Sequence, residues 1–68
     1  MSFGQDLGVE FEGVTVKHET DLALLCVIDA KEVWIPKKCI LDDSMVRAMG
    51  DTGLLVISEW IAIEKELV

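Results

Sequence analysis

The sequence predicts an α+β fold: a small antiparallel β-sheet of about four strands, open or curled toward a barrel, packed by one C-terminal helix. Three observations carry this. Residues 10–18 (EFEGVTVKH) alternate with the period of two that a half-buried strand needs. Residues 22–28 (LALLCVI) form an unbroken apolar run, too short for a buried helix and long enough for a strand covered on both faces. Residues 59–68 (EWIAIEKELV) follow a serine suited to helix capping and place apolar residues at helical spacing.

Residues 1–7 are polar and Gly-rich, and residues 1–8 are expected to be the flexible start of a single domain that spans residues 1–68. In the first strand Val14, Val16 and His18 share one face and Thr15 and Lys17 the other. Gly13 within it marks a bulge or a change of direction. Glu19, Thr20 and Asp21 make a polar turn before the apolar run, and Asp29, Ala30 and Lys31 connect that run to a neighbouring antiparallel strand.

That third strand begins the segment EVWIPKKCIL (residues 32–41). Val33 and Ile35 point to one face and Trp34 to the other, either into a barrel interior or onto a binding surface. Pro36 has no amide hydrogen, so it belongs at an edge, a bulge or a strand end. Residues 37–41 are expected to resume as a short strand that carries Cys39 and Leu41 inward. Asp43 or Ser44 suits the cap of one helical turn (SMVRAM) ending at Gly50, and residues 54–57 (LLVI) supply the fourth strand. In the terminal helix Trp60, Ile63 and Leu67 fall in one stripe at about 100° per residue and are expected to face the sheet. Ile61 lies away from that stripe, beside Lys65.

Thirteen acids against six basic residues give a net charge of −7, spread along the chain. Direct nucleic-acid binding is disfavoured, because phosphate affinity comes largely from Lys and Arg. A domain of this size buries only about 60% of its unfolded surface, so a homodimer is the default expectation. Residues 1–13 carry no basic and apolar leader pattern, and no run is long enough to span a bilayer, so a soluble cytoplasmic protein is expected. Cys26 and Cys39 sit among apolar residues as buried thiols, with a bridge between neighbouring strands left open. They have no CxxC or Cys/His context, so no metal and no cofactor are expected.

Catalysis is not expected either. His18, the only histidine, lies on a strand, and apolar surroundings raise the pKa of both thiols. Asp42 and Asp43 lack the ligand spacing of a calcium loop. The GDTG turn (residues 50–53) is followed by neither a lysine nor a helix N-terminus to hold phosphate. The residue types best suited to a contact are Trp34, Lys37 and Lys38, a large aromatic beside two cations, joined on the terminal helix by Ile61 and Lys65. The alternative role for Trp34 is core packing, with Pro36 and the lysines guarding a sheet edge.

The combination EVWIPKKCI, GDTG and SEWIAIEKEL resembles a group of small bacterial and phage-encoded proteins with no assigned activity. Their pattern runs W-I-P-K-S-x-I, then G-D-x-G, then a W-L-A-x-E-K-x-L helix. The similarity covers residues 19–67, and Trp34, Ile35, Pro36, Lys37, Ile40, Gly50, Asp51, Gly53, Trp60, Ala62, Glu64 and Lys65 match. Lys38 departs from the serine of the pattern. The resemblance implies a mobile-element setting, in which tiny acidic proteins often bind and block a host or rival protein. The functional expectation is therefore a small acidic protein-binding module that occupies a partner's surface. The alternative is a small barrel that binds nucleic acid or a small ligand through Trp34, Lys37 and Lys38.

Overall fold

A computed structural model describes residues 8–68. The expectation of flexibility at residues 1–7 lies outside the described residues, whereas Gly8 is the first residue of a strand. The chain runs β1 (Gly8–Glu19), β2 (Ala23–Ile28), β3 (Lys31–Pro36), a 3-10 turn (Lys37–Cys39), β4 (Thr52–Ser58) and α1 (Glu59–Glu64). The strands form one antiparallel sheet in the order β3-β2-β1-β4. The fold is thus α+β as predicted, and the sheet is open rather than closed into a barrel.

Strand β1 pairs with β4 along its first half and with β2 along its second, and Thr15 is matched to both Thr52 and Val27. Two register shifts make this possible. Between the pairs Phe11/Leu55 and Val14/Gly53, β1 carries one residue more than β4, and Gly13 takes φ +70°, which a side chain would resist. Between Val16/Cys26 and His18/Leu25 the extra residue is Lys17. This second shift corrects the expectation for His18: instead of following Val14 and Val16 into the core, it pairs with Leu25 on the opposite face and is exposed.

The core gathers on one face of the sheet, where Val14, Val16, Leu24, Cys26, Ile28, Val33, Ile35, Leu55 and Ile57 meet Cys39 and Val46 from the connection and Ile61 and Ala62 from α1. The other face has no layer over its β2–β3 half among the described residues. The apolar run is therefore not covered on both sides: β2 sends Leu24, Cys26 and Ile28 inward, and leaves Ala23 and Val27 part-exposed.

The β2–β3 connection is a two-residue turn, shorter than expected. Asp29 and Ala30 take φ +51° and +68°, the left-handed pair whose twist matches a tight hairpin. After β3 the chain does not resume as a strand. It makes the 3-10 turn, bridges Ile40 to Ile57, and runs along the outer edge of β4, where Leu41 N donates to Val56 O (2.9 Å) and Met45 N to Leu54 O (2.8 Å). The expected helical turn at SMVRAM is absent. Ser44 Oγ instead donates to Val46 O (2.9 Å), and Asp51 Oδ2 accepts from Arg47 N (2.9 Å) and Ala48 N (3.0 Å), so side chains take up backbone groups that a helix would have used.

The terminal helix corrects the predicted stripe. Ile61 (2% exposed) and Ala62 face the core, while Trp60 (48%) and Ile63 (56%) face away. Helix α1 has only six residues, and it starts directly from Ser58, itself buried at the end of β4, so the strand's exit direction sets the phase. Leu67 does return to the core, by a different route. Glu66 adopts φ +59°, Leu67 N donates to Ala62 O (2.8 Å) and Glu66 N to Ile63 O (3.0 Å), which is the Schellman pattern of a helix C-terminus.

Ile61→Ala should cost about 2–5 kcal/mol by leaving a cavity, whereas Trp60→Ala should cost well under half of that. Denaturant titration of the two variants checks the order, and equal losses would return Trp60 to the core. Ala30→Gly and Glu66→Gly each relieve a left-handed side-chain residue worth about 1 kcal/mol, and each should raise the thermal midpoint by roughly 4–8 °C.

Candidate interaction surface

The ladder of β3 sets the geometry of this surface. Lys37 N donates to Leu22 O (2.8 Å), and hydrogen-bonded pairs alternate along an antiparallel ladder. Ile35/Leu24, Val33/Cys26 and Lys31/Ile28 are therefore bonded pairs, and Pro36/Ala23, Trp34/Leu25 and Glu32/Val27 are the closely spaced pairs between them. Pro36 thus sits where its missing N–H is lost only to the outside of the sheet.

Val33 and Ile35 are buried, so Trp34 lies on the uncovered face and is 44% exposed. Leu25, its cross-strand neighbour, is only 9% exposed, consistent with shielding by the indole and by His18 on the other side. Lys17 shares this face, and its Nζ donates to Glu32 Oε2 at 2.7 Å. The ammonium holds the Glu32 carboxyl below its ordinary value through the hydrogen bond and its charge.

Two residues along from Trp34, Pro36 borders a shallow cleft of about 290 Å³ lined also by Asp21, Leu22, Lys37 and Lys38. Leu22 is 80% exposed there. Lys37 is engaged: its Nζ donates to Glu19 Oε2 at 2.6 Å, and Glu19 Oε1 accepts from Met49 N at 3.0 Å. Glu19 thereby ties β1 to the end of β3 and to the loop before β4, and these two hydrogen bonds lower its carboxyl pKa. Lys38 is exposed and makes no ion pair among the described residues.

Lys37 and Lys38 border one cleft with Pro36, but Trp34 is not among its lining residues, and Lys37 turns to Glu19, which is matched to the core residue Leu24; Ile61 and Lys65 lie apart from all three. Ile61 is a core residue, which corrects its expected exposure. Lys65 caps α1, on the covered side of the sheet. Sequence reasoning missed Leu22 and Lys17. The apolar run hid the first, and the second depends on a bulge that no glycine marks.

The described residues contain no group of three or more His, Cys, Asp or Glu that could hold a metal ion. Cys26 and Cys39 are buried, and burial pushes the Cys26 thiol up to about 11, which suppresses the thiolate. None of the described helices is long and apolar enough to cross a membrane. Comparison with protein-family models, with curated proteins and with solved structures finds no match.

The Glu19 bonds give a pH prediction. A carboxyl with a lowered folded pKa adds stability that is complete above the ordinary value near 4.5 and is lost as pH falls through the lower folded value. Glu19→Gln should therefore lower the thermal midpoint at neutral pH, and the gap from wild type should close on acidification below pH 4.5. A gap independent of pH would remove the ionic contribution.

Proposed function

We propose that the chain is a small acidic protein-binding module that acts by occupying a partner's surface, with contact made by the outer side of β3 and its cleft. The observation that carries this is Trp34, a large indole on β3 that is 44% exposed on a sheet face with no layer over it among the described residues, two positions from Pro36 in a cleft bordered also by Leu22 and Lys38. Tryptophan anchors of this kind dominate binding energy because they combine apolar area with little side-chain entropy to lose. Lys38 adds a cation without a partner among the described residues. Two buried thiols fit a reducing, cytoplasmic setting. The reading also suits the mobile-element context that the resemblance implies.

Nucleic-acid binding has weaker support. Lys37 is committed to Glu19 and Lys17 to Glu32, which leaves little free positive charge on a chain of net −7.

Immobilised wild-type protein should retain a set of proteins from its native cell extract that Trp34→Ala and Lys38→Glu baits lose and a Trp60→Ala bait keeps. Identical retention by all four would rule out the outer face of β3. A labelled single-stranded oligonucleotide at low salt should show no change in anisotropy.

A further inference from the structure

The sheet has two edges, and the chain treats them differently. The outer edge of β4 is occupied by the segment that begins at Ile40. The outer edge of β3 carries no strand among the described residues. By the ladder described above, the N–H and C=O of Glu32 and Trp34 and the C=O of Pro36 point outward from it. We propose that this edge takes a second copy of the chain, antiparallel, with the twofold axis at Val33, so that two four-stranded sheets become one.

The register follows from the residues. Outward groups belong to residues 32, 34 and 36, so the axis must pass through a residue rather than between two. With the axis at Val33, Glu32 faces the partner's Trp34 and Trp34 faces the partner's Glu32, and both outward N–H and C=O groups of each are bonded. Lys31 then faces the partner's Ile35, and the turn residue Asp29 faces the partner's Lys37. No like charges stand directly opposite each other, and the two Glu32 side chains, which are diagonal neighbours, are each already paired with a Lys17 of their own chain. With the axis at Glu32, two Glu32 carboxylates would face each other. With the axis at Trp34, Lys31 would face the partner's Lys37, and Glu32 C=O would meet a proline with no N–H to give. Pro36 and the lysines at the strand's end are devices that block edge pairing in general. Here they limit it to one short, defined ladder.

The charge distribution supports the same occupant. Four of the six basic residues gather at this edge: Lys31 in β3, Lys37 and Lys38 just after it, and Lys17 through its bond to Glu32. The net negative charge lies elsewhere, so two copies meet at the part of the surface where they repel least. In this register the two Trp34 side chains are diagonal neighbours on the outer face, at about 7–8 Å, within reach for aromatic contact. The dimer thus doubles the proposed partner surface, but it does not depend on that surface having a partner.

Sedimentation equilibrium should give twice the 7.5 kDa chain mass, with the dimer tightening as salt rises from about 0.02 M to about 0.2 M, because salt screens the repulsion of the remaining charge. Glu32→Pro removes one outward donor from an edge position where proline is tolerated, and should give a monomer that still unfolds cooperatively. Should that variant fail to fold, amide exchange of the wild type decides. The Glu32 and Trp34 amides should slow with rising concentration, while those of Val33 and Ile35, already bonded to β2, should not change. A monomer at up to about 1 mM, a dimer that survives Glu32→Pro, or concentration-independent exchange at Glu32 and Trp34 would overturn the proposal. Protection of those two amides only on addition of a different protein would assign the edge to that protein and overturn the second copy.

Discussion

The structure depends on one strand serving two partners. β1 is twelve residues long, and a flat strand of that length would present a single face to a single layer throughout. The extra residue at Gly13 bends it within the β4 pairing, and the extra residue at Lys17 bends it again within the β2 pairing. Between the two bends only Val14 and Val16 are fully inward, and they are the centre of the core. The β2–β3 hairpin hangs from the second half of β1 and the β4–α1 unit from the first. Glu19, at the end of β1, then fastens the β3 exit and the loop before β4 through its two carboxylate oxygens.

A second constraint is the quantity of cover. The described residues offer one six-residue helix and one irregular connection to lay over a four-stranded sheet. Both go to the same face, together with Cys39 and Val46. The opposite face must then be protected by its own side chains, which is why Leu25 sits between Trp34 and His18 and why Lys17 and Glu32 pair across the strands. An indole does this well because it covers a neighbour while it remains half in water. The same geometry that protects Leu25 makes Trp34 available.

The sheet, its strand order around β2 and β3, and the Gly13 bulge were legible in the sequence because each rests on a local signal: alternation, an apolar run, a glycine. The Lys17 bulge was not, because Val16, Lys17 and His18 alternate as if nothing were inserted, and only the pairing with β2 exposes the slip. The helix was legible and its buried face was not. Trp60, Ile63 and Leu67 do form a stripe by phase, but a helix of fewer than two turns has its orientation fixed by the strand it leaves, and the buried end of β4 points Ile61 and Ala62 inward. The segment at residues 44–50 has helical composition, and Asp51 draws its amides into a loop instead. Within the candidate surface, the place of Trp34 two positions from Pro36 in the chain was visible. Its division from Ile61 by the thickness of the sheet was not.

Pro36 links these levels. Its missing N–H falls on the open side of β3, so the inner ladder loses no bond there, and the position ends the strand just before the chain turns toward β4. Had the ladder been offset by one residue, the proline would have broken the β2 pairing, and Val33 and Ile35 would have moved from the core to the uncovered face. Placing Pro36 at a non-bonded position therefore directs Trp34 outward, directs its neighbours inward, and leaves the outward amides at Glu32 and Trp34 as the free donors of β3. The edge and the aromatic surface are two consequences of one register.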